Sequence, residues 1–472
     1  MTEVKIGLET HVQLDTDTKL FCGCPNRDAD EPNKHVCETC LGHPGSKPRL
    51  NRAVLRRAAK TAEALQCDLN RDIFFSRKTY FYPDMNKNYQ ITQYEIPVAE
   101  DGEFEVKVGD EKKDVRIQRL HIEEDPAKLT HVGGSIADAD YTRVDYNRAG
   151  TPLLEIVTAP DFESPEEARA YLQQLSRMLE YLEVYFPGSE FAIKSDANIS
   201  IEGGARVEVK NITGTAGIEK ALSYEISRQK QLTRRGREVE QETRNYNAGM
   251  EITEKLREKE TEEDYGYIFD PDLTRQEFDS GFRESIREDI PELPHEKFER
   301  FQDEYGLPEK MVEALITGPE LADDFETLAE DHETELVASW LTGELKKTLN
   351  YNEVTYTESG LELEWLGYLL GLLEDAEISD RNAELVLREI VEEPRHPEEV
   401  VEEQDLLKAE ESEVDAVVDE VIDDNPDAVE DYRSGKEDAV NFLVGQVMQQ
   451  SGGKADPKTA REKILERIED ES

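Results

Sequence analysis

The sequence has few positive charges for its length and lacks long apolar runs. Its 472 residues include 56 Lys and Arg against 108 Asp and Glu, giving a formal net charge of -52. A membrane-spanning helix needs about 18 to 20 consecutive apolar residues, and no such run is present. No charged-then-apolar leader opens the chain either. We therefore predict a cytoplasmic protein with no membrane partner.

The excess of acid excludes nucleic-acid binding through overall charge, because phosphates would be repelled. Hydrophobic residues still make up 37% of the chain, which is enough for a packed core and argues against general disorder. At molar salt the Debye length falls to about 3 Å, so the self-repulsion of such a surface is screened. The composition predicts the protein of a halophile, and any RNA contact must use local basic patches, metal or shape.

Cysteine is also scarce, and four of the five cysteines are grouped. Cys22 and Cys24 form one close pair, and Cys37 and Cys40 form a second. Two such pairs can close a tetrahedron of thiolates around Zn²⁺, so we predict a structural zinc loop at 22–40. Four thiolates leave no open coordination position for chemistry. The alternative is a loop that carries four reduced cysteines and no metal.

The chain changes character near residue 291. Residues 1–290 alternate strand-like and helical segments, whereas the residues from 291 onward keep helical spacing almost throughout. A glutamate-rich zone between Pro394 and Glu403 is typical of a second linker, or of a solvated helix face. The sequence therefore predicts three domains, with bounds 1–290, 291–398 and 399–472.

Polar side chains recur on one face of predicted strands in the first domain. At the start of the chain, Glu9, His11 and Gln13 alternate with apolar residues, so they share one face of a strand. A carboxylate and an imidazole on adjacent positions of one face suit a divalent cation. The competing interpretation is a solvated face of the sheet.

A predicted hairpin over 196–211 carries a second polar face. Its members, which alternate with buried Ala, Ile and Val, are Asp196, Asn198, Ser200, Arg206, Glu208 and Lys210. The segment 121–125 adds three consecutive acids after a histidine, of which strand geometry aims only one or two at any one site. Carboxylates beside Arg and Lys suit a metal–nucleotide site. Decoration of a salt-adapted surface explains each motif equally well.

Two further segments leave alternatives open. Aromatics, amides and lysines interleave over 78–94, a pattern compatible with stacking of bases and also with ordinary packing. In the last predicted helix, Lys458, Arg461, Lys463 and Arg467 form a basic cluster in an acidic protein. This cluster suits contact with a phosphate backbone, or salt bridges with the glutamates of the same helix.

Taken together, the motifs resemble those of the GatB family, the B subunits of tRNA-dependent amidotransferases, in a halophilic archaeal form. The segments that carry the resemblance are Gly7-Leu8-Glu9-Thr10-His11, Tyr82-Pro83-Asp84, 121–125, Arg148-Ala149-Gly150-Thr151-Pro152-Leu153, 195–200, Val209-Lys210-Asn211, Gln241-Glu242-Thr243-Arg244, Lys259-Glu260 with Asp264-Tyr265, Pro271-Asp272-Leu273 and Phe442-Leu443-Val444-Gly445-Gln446. They extend nearly from end to end of the chain.

The resemblance implies an α+β fold, with a cradle domain built on an antiparallel sheet, then an all-helical domain and a small YqeY-like helical tail that grips tRNA. It implies a ligase that uses ATP and Mg²⁺ to phosphorylate the side-chain carboxylate of Asp or Glu on misacylated tRNA(Asn) or tRNA(Gln). Ammonia then displaces phosphate. The ammonia is expected from glutamine, through an amidase, the A subunit, which forms a heterotrimer with this chain and a small C subunit.

The resemblance also implies site residues. The magnesium ligands, which are also catalytic, are expected at Glu9, His11, Glu124 and Glu208. Lys210 is a further expected catalytic residue, and Asp196, Ser200 and Glu123 are expected to contact the nucleotide. The expected cofactors are therefore ATP, Mg²⁺ and the structural Zn²⁺ of Cys22, Cys24, Cys37 and Cys40. Two positions depart from the family pattern. Lys194-Ser195 stands where the family commonly has Arg-Cys, which changes the cationic side chain, and Gly266 stands where the family has Arg, which removes one.

Two other classes of function fit the same residues. A non-enzymatic subunit would hold tRNA with its zinc loop and basic tail while a partner performs all chemistry. An ATP-dependent ligase acting on a free small carboxylate would form product without tRNA.

Overall fold

The structure is a computed structural model that describes residues 3–133, 139–185, 193–258, 266–407, 411–434, 436, 438–452 and 454–470. The chain divides into two compact units, Met1–Pro294 and His295–Ser472. The motif Lys259-Glu260 with Asp264-Tyr265 lies outside the described residues. The domain bounds 290/291 and 398/399 stay predictions, and the structure separates its units between residues 294 and 295.

The first unit is built on β-structure. Its strands are β1 (Val4–Gln13), β2 (Asp68–Leu69), β3 (Asp72–Ile73), β4 (Ser76–Thr79), β5 (Tyr89–Thr92), β6 (Ala99–Val108), β7 (Glu111–Glu124), β8 (Lys128–Val132), β9 (Tyr141–Asp145), β10 (Pro152–Thr158), β11 (Ile193–Ile201), β12 (Val207–Thr213), β13 (Glu242–Asn247), β14 (Ile252–Glu258), β15 (Gly266–Phe269) and β16 (Gln276–Glu277). Among the described residues, nine of them form one sheet in the order β14-β13-β12-β11-β1-β10-β7-β6-β2. Every pairing in that sheet is antiparallel except β12 with β13.

Helices cover one face of this sheet and then make up the second unit. In the first unit they are α1 (Arg52–Ala64), α2 (Pro165–Tyr181), α3 (Thr215–Arg234) and α4 (Ser280–Arg287). The second unit contains α5 (Pro294–Tyr305), α6 (Glu309–Leu315), α7 (Pro319–Asp331), α8 (Thr334–Ser339), the π-helical segment Trp340–Leu345, α9 (Lys346–Asn352), α10 (Leu363–Glu374), α11 (Asp380–Glu392), α12 (Pro397–Glu403), α13 (Glu411–Asp424), α14 (Pro426–Arg433), α15 (Asp438–Gln450) and α16 (Pro457–Asp470). The predicted α+β class, antiparallel sheet first and helices after it, is confirmed.

Alternation along β1 decides which face of the sheet is packed. Ile6, Leu8 and Val12 are fully buried in the main core, together with Ala197 and Ile199 from β11. Since successive side chains of a strand point to opposite faces, the odd-numbered residues of β1 lie on the other face. That face carries the candidate site.

The last part of the second unit has a core of its own, formed by residues from Val414 to Ile468. There the cations of α16 pair with acids of α13: Lys463 Nζ lies 2.9 Å from Asp415, and Arg467 Nε lies 2.9 Å from Asp419. Two of the four cations of the predicted basic cluster, Lys463 and Arg467, are therefore paired with acids of a neighbouring helix. None of the described helices combines the length and apolar composition that crossing a bilayer requires.

Candidate functional site

The candidate site is a row of charged side chains across the centre of the large sheet. On β1, His11 pairs with Glu155 of β10 on one side and with Lys194 of β11 on the other. Glu155 in turn pairs with His121 of β7, and Glu9 pairs with Asp196 of β11. Register therefore places residues from four strands on one polar surface, because directly paired residues share a face.

One cluster on this surface contains oxygen ligands only. Oxygen atoms of Glu9, Asp196 and Glu208 all lie within 4.8 Å of one another. Asn198 Nδ2 donates to Glu9 Oε1 over 2.8 Å. Lys210 Nζ donates to Asp196 Oδ2 over 2.7 Å and lies 3.4 Å from Glu208 Oε1. The cluster can hold a hard divalent cation, with an ammonium group beside it.

Burial and neighbouring charge set the protonation of this cluster. Burial, together with the carboxylate of Glu155, raises the pKa of Glu9 above its usual value. Burial by itself would lower the pKa of Lys210, but Asp196 and Glu208 outweigh it and raise that pKa above the usual range. Lys210 therefore stays positively charged at neutral pH.

A second cluster lies beside the first and contains imidazole. His11 Nε2 lies 3.2 Å from Glu155 Oε2 and 3.8 Å from Glu123 Oε1, and His121 Nε2 lies 3.3 Å from the same Glu155 oxygen. Burial opposes protonation of His11, but Glu155 and Glu123 raise its pKa to about 10. Burial likewise opposes ionisation of Glu155, and the two histidines hold its pKa well below the usual value.

We expect the free energy of unfolding of the first unit to fall as pH rises when no divalent cation is bound. The pKa of His11 is about 10 in the fold and about 6.5 in an unfolded chain. Its stabilising contribution is therefore complete below pH about 6.5 and disappears as pH rises through about 10. Urea unfolding from pH about 6 to about 9.5 without Mg²⁺ should show this decline, and His11→Gln should reduce it. His295 is an exposed histidine of the second unit, so His295→Gln should leave the decline unchanged. An equal decline of stability with pH in wild type and His11→Gln would contradict the role of His11.

Two sequence-predicted residues lie away from both clusters. Glu124 is one position beyond Glu123, so the pleat turns it to the opposite face, where its carboxylate binds Lys87 Nζ and accepts from the backbone NH of Ile91 over 2.8 Å. Ser200 pairs with Lys5 of β1. Lys5 is four residues from Glu9 along the strand, so Ser200 lies about 13 Å from the position of Glu9 at strand spacing. The predicted ligand set Glu9, His11, Glu124 and Glu208 is thus not brought together, because Glu124 faces away.

Glu124 instead lines a cavity of about 270 Å³. Arg77, Lys87 and Tyr89 line it on one side, and the loop from Thr39 to Pro48 lines it on another. Gly42 packs directly on Lys87, since a Cβ built on Gly42 would lie 2.3 Å from Lys87 Cγ. The cysteine loop therefore helps to fix the position of Lys87.

The four grouped cysteines converge as the sequence predicted. Their Sγ atoms lie within 4.8 Å of one another, and the Cys37 and Cys40 sulfurs are 3.9 Å apart. In a tetrahedron with metal–sulfur bonds of about 2.3 Å the sulfurs are about 3.8 Å apart. A hydrogen bond with Cys22 lowers the pKa of Cys40 to about 5, and the backbone NH of Cys37 and the Lys19 ammonium act in the same direction. The arrangement fits Zn²⁺.

Sequence reasoning missed Glu155 and Lys19 as functional candidates. Glu155 is the one acid within the otherwise apolar strand Pro152–Thr158, a signal that alternation could have revealed. Lys19 is fully buried, and its Nζ donates to the backbone carbonyls of His35 over 2.8 Å and Tyr146 over 3.3 Å. Nothing in the sequence around Lys19 distinguishes it from an exposed lysine.

Comparison with known proteins gives a consistent result. Residues 4–284 match the family model described as the GatB/GatE catalytic domain, and residues 323–468 match the GatB domain model. The B subunit of the aspartyl/glutamyl-tRNA(Asn/Gln) amidotransferase of Natronomonas pharaonis is 46% identical, over 97% of this chain and 96% of its own length. The proteins of the same name from Haloquadratum walsbyi and Methanopyrus kandleri are 44% and 43% identical, over 98% and 99% of this chain and 97% and 99% of theirs.

The predicted motifs thus lie within regions matched by family models, and the relatives match along almost their whole length. The two charged clusters and the cysteine loop all fall within residues 4–284. The chain belongs to the GatB family.

Proposed function

We propose that this chain is the B subunit of a glutamine-dependent tRNA amidotransferase, a ligase that forms a carbon–nitrogen bond at the expense of ATP. Its substrate would be Asp or Glu esterified to tRNA(Asn) or tRNA(Gln). The observation that carries the proposal is the cluster of Glu9, Asp196 and Glu208 beside Lys210, on one sheet face of the domain matched by the catalytic family model. Carboxylates that gather next to a fixed ammonium group suit phosphoryl transfer.

The reaction needs two steps because a carboxylate oxygen is a poor leaving group. In the first step a side-chain oxygen of the aminoacyl group attacks the γ-phosphorus of ATP, and ADP leaves. In the second step ammonia attacks the carbonyl carbon of the acyl phosphate and inorganic phosphate leaves, giving the amide. Charge develops on phosphate oxygens in the first step, so fixed cations at the site stabilise its transition state.

The chain's own residues have separate roles in this scheme. Glu9, Asp196 and Glu208 would hold Mg²⁺, with Asn198 orienting Glu9 by its 2.8 Å hydrogen bond. A Mg²⁺ ion held there would supply positive charge to offset the negative charge of the phosphate groups. Lys210, held by Asp196 and Glu208, would contact the transferred phosphoryl group.

Other predicted residues keep more peripheral roles in the proposal. His11 and Glu123 lie in the adjacent cluster, within reach of the same cation-binding face. Glu124 would act through Lys87 at the edge of the cavity. Ser200 would meet the nucleotide only at its far end, given its position opposite Lys5.

The remaining parts of the reaction require partners. The sequence has neither an amidase serine–lysine signature nor a recognisable thiol nucleophile for glutamine hydrolysis, so ammonia would come from an amidase, the A subunit, with a small C subunit completing a heterotrimer. The relatives' names include both Asp- and Glu-tRNA, and we propose Asp-tRNA(Asn), Glu-tRNA(Gln) or both as substrates of this cytoplasmic complex.

Amide formation by the co-expressed A, B and C subunits tests this proposal. Asp-tRNA and Glu-tRNA are each incubated with ATP, Mg²⁺ and glutamine in molar KCl, and each component is omitted in turn. Amide that requires ATP and tRNA supports the proposal. Amide without tRNA would support a ligase for a free carboxylate. A folded complex that binds tRNA but forms no amide would support the non-enzymatic role.

We propose further that Cys22, Cys24, Cys37 and Cys40 hold a structural Zn²⁺, supported by the sulfur separations. A zinc ion with four thiolates carries a net charge of -2, and an uncompensated buried charge is unfavourable. Lys19 is a fully buried cation with no carboxylate within 4.0 Å among the described residues. Its ammonium would therefore offset the charge of the metal site.

Zinc affinity should depend on this lysine. We expect Lys19→Met to weaken Zn²⁺ binding by about 10–100-fold, as loss of a supporting group beside a metal does. Competition with a chromophoric chelator measures the affinity without any assay of activity. The matched control is Lys297→Met, because Lys297 is also buried but pairs with Asp323 and Glu326 in the second unit. Equal zinc affinity in Lys19→Met and wild type would contradict the charge-offset role.

A further inference from the structure

We propose that Thr243 and Asn245, two residues of β13, are positioning residues for the oxygen cluster of Glu9, Asp196 and Glu208. Thr243 would act on Glu208 directly, and Asn245 would act on Asp196 through the backbone of β12. Neither residue would touch the substrate. Both would act through carboxylates that the proposed function uses, and on that function this inference rests.

The register of β13 brings its side chains to the cluster. β13 lies beside β12, and the two strands run parallel. Thr243 stands opposite Glu208, and Asn245 stands opposite Lys210. Side chains at paired positions of adjacent strands lie on the same face of the sheet. Thr243 and Asn245 therefore share the polar face with the cluster.

Thr243 holds one oxygen of Glu208. The Thr243 hydroxyl donates to Glu208 Oε2 over 2.8 Å, and the two residues are only 1% and 7% exposed. The other carboxylate oxygen, Oε1, lies 3.4 Å from Lys210 Nζ. A hydrogen bond to a charged acceptor is stronger than a neutral one, and more so away from water. This bond thus fixes which oxygen of Glu208 faces Lys210.

Asn245 acts on Asp196 through a bulge in β12. The register between β11 and β12 shifts at this point, so Lys210 and Asn211 both stand opposite Asp196. The backbone NH of Asn211 donates to Asp196 Oδ1 over 3.1 Å. Asn211 has a φ of +64°, in the left-handed region that side chains rarely adopt. Its Nδ2 donates to Asn245 Oδ1 over 2.7 Å, and this bond holds the Asn211 backbone where its NH reaches Asp196.

The opposite face of β13 anchors the strand. Glu242 and Arg244 alternate with Thr243, so they lie on that face. Arg244 Nη1 donates to Glu242 Oε1 over 2.8 Å, and Arg244 Nε donates to Thr253 Oγ1 over 2.8 Å. The Thr253 hydroxyl donates in turn to the fully buried carboxylate of Glu225 on α3 over 2.9 Å. The network ties β13 to β14 and α3, so the polar side chains of β13 project from a fixed support.

Thr243→Val tests the positioning role, because valine keeps the shape of the side chain and removes the donor. In the A, B and C complex we expect it to lower both the kcat of amidation and the affinity for Mg²⁺ by about 10–100-fold. The KM for aminoacyl-tRNA should stay at the wild-type value, since Thr243 acts through Glu208 and not on the substrate. Thr243→Ser, which keeps the hydroxyl, should recover most of both losses. Calorimetric titration without ATP or tRNA measures the Mg²⁺ affinity.

Thr61→Val is the matched control. Thr61 is also a fully buried threonine of the first unit, and its hydroxyl donates to the backbone carbonyl of Arg57 within α1 over 2.9 Å. This variant should keep the wild-type kcat and Mg²⁺ affinity. In a double-mutant cycle, Thr243→Val should cause no further loss of activity in the Glu208→Ala background, because its effect passes through Glu208.

Other outcomes would overturn the positioning role. These are wild-type kcat and Mg²⁺ affinity in Thr243→Val, no recovery in Thr243→Ser, an equal loss in Thr61→Val, or a full further loss in the double variant. Circular dichroism identifies loss of fold, and Asn245→Ala, which should lower the same two quantities, replaces Thr243→Val if the latter unfolds. Absence of amidation by the wild-type complex would refute the proposed function, whereas unchanged Mg²⁺ affinity in an active complex would refute only the role of β13.

Discussion

Replacement of Glu208 by alanine is expected to lower ATP-dependent amidation by about 10²–10³-fold, the effect of losing one preorganised electrostatic group from a site of charge transfer. Glu208 contributes to the oxygen cluster with Glu9 and Asp196, lies 3.4 Å from Lys210 Nζ and accepts from Thr243 Oγ1 over 2.8 Å. Its loss removes a proposed magnesium ligand and one of the two carboxylates that hold Lys210. Amide formation by the complex on its preferred aminoacyl-tRNA measures the effect.

The matched control for this variant is Glu202→Ala. Glu202 lies in the turn between β11 and β12, is exposed, and carries the same charge as Glu208. The two variants change net charge equally, so only the position in the site differs. Wild-type activity in Glu208→Ala, with tRNA binding and fold retained, would exclude the oxygen cluster from catalysis; equal loss in Glu202→Ala would trace the effect to charge alone.

Replacement of Glu225 by alanine is expected to destabilise the first unit by about 3–5 kcal/mol, the usual cost of removing one partner from a buried ion network. The Glu225 carboxylate is fully buried on α3. It accepts from Arg228 over 2.7 Å, from Gln229 over 2.8 Å and from Thr253 Oγ1 over 2.9 Å. Its loss removes one of the carboxylates that compensate the largely buried guanidinium groups of Arg228 and Arg244. Urea unfolding in molar KCl measures the resulting decrease in the free energy of unfolding.

Glu219→Ala provides the comparison within the same helix. Glu219 pairs with Arg169 over 2.7 Å, and both side chains are about one-third exposed or more. Exposed pairs contribute roughly 0–1 kcal/mol, and molar salt lowers this further. A similar loss of stability in both variants would show that the network at Glu225 gains nothing from burial.

Alternation along strands predicted much of the candidate site. Glu9, His11, Asp196 and Glu208 all lie on the polar face that their spacing indicates, because a strand has a fixed period of two. The same rule places Glu123 and Glu124 on opposite faces of the sheet, whereas matching the segment to the family motif does not distinguish them. Adjacent acids in a strand cannot serve one site unless the backbone bends between them.

The sequence by itself determined the class of fold, the change from sheet to helices, the grouping of four cysteines and the family. These properties depend on local periodicity, spacing and motifs, which neighbouring residues in the chain carry. Only the tertiary structure decided that Glu155 lies between His11 and His121, that Lys19 is buried beside the cysteines and that the cations of α16 pair with α13. The contacts of Glu155 and of α16 join residues far apart in the chain, and strand register and helix packing select them from many pairings that the sequence allows.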